Sequence, residues 1–189
     1  MPIAKLIYPT NVSVDGYIED EHGAFDWFPV DDDVFAAHTE LMQSAGTLLY
    51  GRRLYETMAV WETNTELAEH SAPFADFAAA WQSPSKVVYS QTLAAASTAT
   101  TRIEREFNAV QVRDLKAAAD RDLIIGGADL AGQAFAAGLI DEVQLYLWPL
   151  VVGGGKRGLP TRTRVDLELI AEQAFGNGVI LLRYRPRNT

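Results

Sequence analysis

Residues 122–155 read DLIIGGADLAGQAFAAGLIDEVQLYLWPLVVGGG, and the order of apolar and glycine segments in this stretch decides the fold. The apolar run at 123–125 predicts a buried strand, and the run at 143–149 predicts the next strand. Between them, the spacing of apolar residues at 129–137 predicts a helix that Gly138 ends. A strand, a glycine pair, a helix and a strand form the unit from which parallel sheets are built.

The pair Gly126-Gly127 stands where the first of these strands meets the helix. Glycine lets a ligand approach the backbone closely, and the free N–H groups at a helix start attract phosphate. The pair lacks the G-x-G-x-x-G spacing of a Rossmann site, and the later GGGKR at 153–157 lacks the spacing and the Ser or Thr of a P-loop. Two interpretations stay open: a site for a phosphorylated cofactor, or a tight junction that binds nothing.

The composition narrows the classes of function. The chain of 189 residues suits one domain, and 48% apolar with 22% charged residues is typical of a soluble globular protein. No apolar run reaches the length of a membrane span and the N-terminus lacks a signal-peptide pattern, so we expect a cytoplasmic protein. The absence of cysteine excludes thiol chemistry, the three histidines lack the spacing of metal ligands, and the net charge of −9 argues against nucleic acid. We therefore expect no metal site, and chemistry supplied by a bound cofactor.

Strands alternate with helices along most of the chain. The pattern predicts strands at 4–8, 47–50 and 86–89, helices at 31–44 and 52–61, and an Ala-rich helix to about residue 82. It also predicts a short strand at 110–112, a short helix to about 119 capped by Asp114, and loops at 13–29, 92–105 and 156–164. Two alternating runs at 167–175 and 179–184 flank an Asn-Gly turn, which is a strong hairpin signal. The fold class is therefore α/β, with a mostly parallel sheet and an antiparallel edge.

Polar groups follow three of these strands. Gly51-Arg52-Arg53 opens a helix after the strand at 47–50, Ser90 follows the strand at 86–89, and Gly126-Gly127 follows the strand at 123–125. Ligands of open α/β sheets bind outside the carboxyl ends of the strands, and arginine forms charge-assisted bonds to phosphate. The three strand ends together favour one phosphorylated ligand more than any of them does alone.

Five segments, in this order, resemble the dihydrofolate reductase superfamily, in the branch that contains the C-terminal reductase domain of the riboflavin-biosynthesis enzyme RibD. They are SVDGYI at 13–18, LLYGRRLYETM at 48–58, VVYSQTL at 87–93, LIIGGADLAGQAF at 123–135 and DEVQLYLWPLVVGGG at 141–155. The resemblance implies one three-layer α/β/α domain over residues 1–189, an NADPH-dependent reductase and a homodimer. The deaminase motif of the bifunctional enzyme is absent.

The resemblance also implies which residues bind NADPH. The residues that correspond to the adenosine 2′-phosphate region are Gly51, Arg52, Arg53 and Ser90. Those that correspond to the pyrophosphate site are Gly126, Gly127, Ala128, Asp129 and Leu130, and those near the nicotinamide are Asn11 and Ile18. The arginine pair gives a physical reason to prefer NADPH over NADH, because an extra phosphate needs extra positive charge.

Four residues fall near the family's substrate positions. Asp15, in the Ser-x-Asp-Gly pattern at 13–16, corresponds to an Asp at the substrate and is a candidate proton donor, with water as the alternative; a turn role before Gly16 is equally open. Trp27 is expected beside the substrate. Asp32 falls near the substrate carboxylate of dihydrofolate reductase, although its acidic cluster favours helix capping. Trp148 replaces a Thr of that enzyme, and its bulk disfavours a bound pterin.

The main hypothesis is a reductase resembling 5-amino-6-(5-phosphoribosylamino)uracil reductase, with residues 19–26 as a lid. The alternatives are reduction of dihydrofolate, a pterin or another small molecule, a flavin-type reductase, or a non-catalytic protein that retains the fold. The apolar run at 179–182 supplies a possible physical basis for a homodimer, because both faces of that strand need cover.

Overall fold

The computed structural model of the protein describes residues 4–187. The strands in this range are β1 (Leu6–Ser13), β2 (Tyr17–Glu19), β3 (Ala45–Gly51), β4 (Ser85–Tyr89), β5 (Thr101–Glu104), β6 (Asp122–Gly126), β7 (Glu142–Trp148), β8 (Lys156–Arg157), β9 (Leu167–Ala174) and β10 (Ile180–Pro186). The helices are α1 (Asp32–Ser44), α2 (Arg52–Met58), α3 (Val60–Thr63), α4 (Thr65–Ala68), α5 (Ala72–Gln82), α6 (Ala109–Ala118) and α7 (Ala128–Ala136). No helix in this range is long and apolar enough to cross a membrane.

Eight strands form one sheet in the order β5-β4-β3-β6-β1-β7-β10-β9. The six strands from β5 to β7 pair in parallel, and β10 and β9 add the antiparallel edge. The remaining strands, β2 and β8, form a separate two-stranded ribbon. The α/β class, the mostly parallel sheet and the C-terminal hairpin predicted from the sequence are confirmed.

Helices cover both faces of the sheet. On one face, α6 and α7 pack on alternate side chains of the central strands, with Leu6, Leu49, Leu123 and Ile125 less than 2% exposed. On the other face, α1, α2 and α5 pack on Ile7, Leu48, Tyr50, Val88 and Ile124. The alternation along each strand follows from the two-residue period of β structure. Because β6 is followed by a helix on one face and its neighbours β1 and β3 by helices on the other, crevices open beside its carboxyl end.

The prediction for residues 92–119 was wrong in three places. Residues 110–112 belong to α6 and form no strand, because Val112 and Leu115 lie three residues apart on the helix face that packs against the sheet. The cap is Asn108 rather than Asp114, since the Asn108 side chain accepts hydrogen bonds from the amides of Val110 and Gln111. Residues 101–104 are not irregular but form the edge strand β5.

Short strands also occur inside two segments predicted as loops. β2 lies within residues 13–29, and β8 lies within residues 156–164. These strands pair only with each other, and they are three and two residues long. Such short pieces show no alternation in the sequence, so only the close approach of two distant loops creates them.

The C-terminal hairpin leaves its edge strand exposed. Asn177 accepts a hydrogen bond from the Val179 amide, and Gly178 turns the chain at a φ of 88°. Val179, just before β10, and Leu181 within it are buried in a small core, while Ile180 is 40% exposed. In β9, Leu169 and Ile170 are also exposed.

Candidate functional site

Two helix starts face each other at the carboxyl edge of the sheet. β3 runs directly into α2 at Gly51, and the neighbouring β6 runs directly into α7 at Gly127. Neither start has a side-chain cap, and Gly127 has a φ of 95°, which favours glycine. A Cβ added to Gly127 would lie 3.8 Å from the Gly51 nitrogen. Open amides at two adjacent helix starts therefore offer a place for a phosphate group.

Gly126 has a different role from Gly127. A Cβ at Gly126 would overlap the Leu54 side chain of α2 and lie 2.9 Å from the Tyr50 ring. Glycine here allows α2 to pack against the end of β6. The first glycine of the pair thus brings the two helix starts together, and the second leaves the backbone between them open.

Two clefts meet at these glycine junctions. The first has a volume of about 350 Å³, and lies between the end of β1, the β2–β8 ribbon and the starts of α2 and α7. Its lining includes Asn11, Ile18, Arg53, Gly127 and Lys156, with apolar walls from Phe25, Phe28, Leu54 and Met58. The second has a volume of about 450 Å³ and is lined by Gly51, Ser90, Gln91, Arg105, Asp129 and Leu130, among others. This arrangement fits a ligand with two ring systems joined by phosphates.

Arg52 and Arg53 diverge to opposite sides of α2. Arg52 donates to the Thr92 hydroxyl at 2.9 Å and also contacts Glu56 of its own helix. Arg53 lines the first cleft and pairs with Glu19 of β2 at 3.3 Å. The resemblance predicted that both arginines lie at the 2′-phosphate. The structure instead places Arg52 beside the loop that follows β4, and Arg53 at the first cleft.

Ser90 and Arg105 organise the loop beside the second cleft. The Ser90 hydroxyl is buried and accepts hydrogen bonds from the amides of Thr92 and Leu93. Arg105 donates to the carbonyls of Ser90 and Leu93 at 3.0 and 2.8 Å. Sequence reasoning missed Arg105, because it follows an edge strand that the pattern did not predict. Its guanidinium adds positive charge to the second cleft.

Asn11 joins the first cleft to a buried aromatic cluster. Its Oδ1 accepts a hydrogen bond from Trp148 Nε1 at 3.0 Å and lies 3.3 Å from His38 Nε2. The His38 ring stacks on Tyr146 with 4.0 Å between the ring centroids. Burial lowers the pKa of His38 to about 4, so the imidazole is neutral at pH 7. From the sequence, Asn11 was expected near the nicotinamide and Trp148 near the substrate, and His38 was not predicted to belong to the site.

Asp15 ties two loops together outside both clefts. It accepts hydrogen bonds from the Ser13 hydroxyl at 2.6 Å and from the amides of Val152 and Gly153 at 3.1 and 2.7 Å. The Ser13 hydrogen bond, with smaller contributions from the two amides, lowers the pKa of Asp15 to about 2. An ionised carboxylate with three donors is a poor proton donor, so the contacts favour the turn role.

The other predicted substrate residues do not line the first cleft. Asp32 is exposed in the first turn of α1, where Asp31 is the cap. Trp148 is buried, so its indole leaves the cleft open and does not obstruct a flat ligand. Trp27 packs on Phe28, which lines the cleft and also contacts Trp148. Phe25, Phe28 and Met58, which the sequence did not single out, supply the apolar walls instead. Across residues 4–187 no group of three side chains is suited to hold a metal ion.

The β2–β8 ribbon spans the first cleft through two ion pairs. Glu19 of β2 contacts Arg53 of α2 at 3.3 Å, and Lys156 of β8 contacts Asp129 of α7 at 2.6 Å. Arg53 and Asp129 are mostly exposed, and exposed ion pairs contribute only about 0–1 kcal/mol each. These two ion pairs therefore add little to the stability of the closed ribbon, whereas the buried Tyr8 hydroxyl holds its base through a 2.6 Å hydrogen bond to the Gly158 carbonyl. The lid expected at residues 19–26 stays a prediction.

Comparison with known protein families identifies relatives over nearly all of the chain. The model of the RibD C-terminal domain matches residues 4–181. YyaP of Bacillus subtilis strain 168, itself uncharacterized, is 27% identical over 185 residues, which is 95% of this chain and 94% of that protein.

Solved structures share the fold. A Shewanella sp. PV-4 protein, assigned provisionally to riboflavin biosynthesis, matches with a TM-score of 0.76 and 20% identity over 97% of this chain and 99% of that one. A pyrimidine reductase-like protein of Corynebacterium diphtheriae matches with a TM-score of 0.65 and 13% identity over 100% and 96%. A Thermotoga maritima deaminase and 5-amino-6-(5-phosphoribosylamino)uracil reductase matches with a TM-score of 0.62 and 15% identity over 97% of this chain and 57% of that one.

Proposed function

The chain belongs to the RibD C-terminal domain family, and we propose that it is an NADPH-dependent reductase of a small pyrimidine-type substrate. One observation carries the proposal: the open helix starts at Gly51 and Gly127 face each other between two clefts. The family and its reductase relatives support an oxidoreductase. The identity of the cofactor and substrate rests on the chemistry of the two clefts.

The residues present fit NADPH. The amides at the start of α7, which no side chain caps, would hold the pyrophosphate, and glycine at 127 keeps the approach free of a side chain. The second cleft would take the adenosine, with Arg52 and Arg105 beside the Ser90 loop for the 2′-phosphate. The first cleft would take the nicotinamide, which supplies a hydride when it is bound.

The first cleft fits a flat, phosphorylated substrate. Phe25, Phe28 and Met58 provide apolar surface for a ring, while Arg53 and Lys156 bring positive charge to the same cleft. Both cations pair with carboxylates that an anionic substrate can replace. 5-Amino-6-(5-phosphoribosylamino)uracil combines such a ring with such a phosphate. We assign the proton of the reaction to water, because Asp15 is ionised and lies outside the cleft.

Titration of the purified protein with NADPH, followed by nicotinamide fluorescence, tests cofactor binding. We expect saturable binding, and absence of binding at millimolar NADPH would reject the reductase. NADPH oxidation is then measured with 5-amino-6-(5-phosphoribosylamino)uracil, dihydrofolate, pterins, quinones and nitroaromatics. Turnover of the pyrimidine alone would support the proposal. Turnover of dihydrofolate or a pterin instead would favour the alternative, which the position of Trp148 permits.

Single arginine variants test the assignment of the 2′-phosphate. Arg52→Ala should weaken NADPH by about 10- to 100-fold while leaving NADH unchanged, because charge-assisted hydrogen bonds contribute roughly 1.5–3 kcal/mol. Arg53→Ala should change both cofactors equally, since Arg53 lies at the first cleft. Dissociation constants for both cofactors decide between the residues. An equal loss for NADPH and NADH in Arg52→Ala would show that Arg52 does not contact the 2′-phosphate.

We also propose that the protein is a homodimer. Leu169, Ile170 and Ile180 form exposed apolar surface on the C-terminal hairpin, and β9 lies at the edge of the sheet. A second copy placed on this surface would cover it. Sedimentation at micromolar concentration should give a particle twice the 20.8 kDa chain mass. A clean monomer would reject the dimer.

A further inference from the structure

The carboxamide of Asn11 is held in one orientation. Trp148 Nε1 lies 3.0 Å from the atom assigned as Asn11 Oδ1. An indole N–H can only donate a hydrogen bond, so the amide atom that faces it must be the oxygen. The Trp148 N–H donor therefore fixes which end of the Asn11 amide is the oxygen and which is the nitrogen.

His38 adds a second donor to the same oxygen. Its Nε2 lies 3.3 Å from Asn11 Oδ1, so this nitrogen carries the proton of the neutral ring. Stacking on Tyr146 fixes the plane of the imidazole. Turning the amide over would place its NH₂ group against two donors, and both hydrogen bonds would be lost.

The nitrogen of the Asn11 amide is left for a ligand. Asn11 lines the first cleft, and none of the hydrogen bonds among the described residues uses its Nδ2. Within residues 4–187, the fully buried side-chain nitrogen and oxygen atoms that lack a partner are the indole nitrogens of Trp27 and Trp81, so Asn11 Nδ2 is not fully buried. The Asn11 amide nitrogen, with its two N–H donors, is thus unpaired within this range and not fully buried at a cleft with apolar walls. A ligand that displaces water there must supply an acceptor, since burying an unmatched polar group is costly.

We propose that Trp148 and His38 are positioning residues that direct the Asn11 N–H donors toward a carbonyl oxygen of the ligand in the first cleft. The inference rests on the proposed function for the identity of that ligand. Two sources carry the required chemistry: the carboxamide of the nicotinamide and a ring carbonyl of the substrate. Either way, Asn11 selects ligands that present an acceptor beside a flat ring, and rejects those that present a donor.

Asn11→Asp is the central variant. It keeps the shape of the side chain and the oxygen that Trp148 and His38 contact, but it replaces the cleft-facing NH₂ with an oxygen that cannot donate when ionised. We expect ligand affinity to fall about 10- to 100-fold, because an acceptor is left unpaired in the cleft. Trp148→Phe keeps an aromatic ring but frees the amide, and should weaken the same ligand by about five- to tenfold.

Three probes separate the possible outcomes. Dissociation constants are measured for NADPH and for adenosine 2′,5′-bisphosphate, which lacks the nicotinamide, and KM and kcat for 5-amino-6-(5-phosphoribosylamino)uracil. Weaker NADPH with unchanged bisphosphate binding in Asn11→Asp would place the acceptor on the cofactor. Unchanged NADPH with a raised KM or lowered kcat would place it on the substrate. Wild-type values for NADPH, KM and kcat in both variants would overturn the inference.

Controls distinguish positioning from a purely structural effect. Trp61→Phe removes an indole that packs on Phe35 and Phe77 and has no hydrogen bond to Asn11, Trp148 or His38, and it should leave all three probes unchanged. Melting temperatures identify any variant that is merely unfolded. In ¹⁵N spectra, the side-chain amide signal of Asn11, assigned by its loss in Asn11→Asp, should shift when the ligand is added. A signal that stays fixed at saturating NADPH and substrate would also overturn the inference.

Binding by the wild-type protein distinguishes a failure of the proposed function from a failure of this inference. Wild-type protein that binds neither NADPH nor adenosine 2′,5′-bisphosphate would reject the reductase and the inference together. Wild-type protein that binds both, with unaltered constants in Asn11→Asp and Trp148→Phe, would reject the inference alone.

Discussion

Helices α2 and α7 begin differently from α1, α5 and α6. The first two follow a strand without a loop and start at Gly51 and Gly127, which have no side chain to cap the helix. The other three follow loops and start at Asp31, Ser71 and Asn108, whose side chains accept hydrogen bonds from the first-turn amides. The two groups therefore satisfy their free N–H groups in different ways.

The two kinds of helix start serve different purposes, since capped starts contribute to stability and open starts can bind a ligand. A capped helix start is complete within the chain and adds to the free energy of unfolding. An open start at a glycine gives up that contribution and leaves its amides to an anion. Since α2 and α7 lie side by side at the two clefts, the open starts occur where the proposed cofactor would need them.

The largest expected effect is at the open start of α7. Gly127→Val should weaken NADPH by at least about a thousandfold, or ~4 kcal/mol, because a β-branched side chain is strained at a φ of 95° and would stand in the path of the phosphates. Fluorescence titration measures the loss, and circular dichroism checks the fold. Gly127→Ala should give a smaller loss in the same direction.

Gly132→Ala is the matched control within the same helix. A Cβ at Gly132 meets nothing within 4 Å, so alanine should stabilise α7 by about 0.5–1 kcal/mol and leave NADPH affinity unchanged. If Gly127→Val and Gly132→Ala had the same effect on binding, the open helix start would have no special role.

The second-largest expected effect is a pH dependence of stability that comes from His38 on α1, one of the capped helices. The pKa of His38 falls from 6.5 to about 4 because of burial, so the unfolded chain takes up a proton at a higher pH than the folded protein does. Above pH 6.5 the ring is neutral in both states, and His38 does not reduce the free energy of unfolding. As the pH falls from 6.5 toward 4, the free energy of unfolding decreases by about 3 kcal/mol in all. Urea unfolding between pH 7 and 4 measures it.

His38→Phe keeps a ring to stack on Tyr146 and removes the titration. The difference in pH dependence between the two proteins isolates His38 from the acidic residues that also titrate in this range. An identical loss of stability in wild type and His38→Phe would show that the ring is not held neutral by the fold.

The smallest effect is expected at a capped start. Asn108→Ala removes the side chain that accepts from the Val110 and Gln111 amides, and should cost about 1 kcal/mol of stability. NADPH affinity should stay within about twofold of wild type, because capping within the chain adds stability alone. Gln111→Ala on the same turn serves as the control for loss of an exposed polar side chain. A large loss of NADPH affinity in Asn108→Ala would break the distinction between the two kinds of helix start.

The sequence predicted the fold class because its signals are local. Apolar runs marked β3, β4, β6 and β7, and the Asn-Gly turn marked the hairpin of β9 and β10. The failures lie where local signals are weak. The short segment Val110-Gln111-Val112 suits a strand or a helix equally, and only packing against the sheet made it part of α6.

The site was predicted in part for the same reason. Asn11, Ile18, Arg53, Gly127 and Ala128 were all singled out from the sequence and all line the first cleft, although Arg53 was expected at the 2′-phosphate and Gly127 and Ala128 at the pyrophosphate. Phe25, Phe28, Met58 and Arg105 were missed, because an apolar or basic residue in a loop carries no signal of the direction it faces. Asp15 carried a motif, yet its hydrogen bonds to a distant loop favour a structural role.

By itself, the sequence determined the order of the main strands and helices, although not the short strands β2, β5 and β8. It also determined the chemistry at the ends of β3, β4 and β6, since these features depend on periodicity and on the freedom of glycine within a few residues. The tertiary structure decided which strand ends became neighbours. β6 inserts between β3 and β1, which brings Gly127 to Gly51 across 76 residues of chain. It also joined Asn11 to Trp148, 137 residues away, and to His38. Such contacts follow from strand order and packing, which no local pattern encodes.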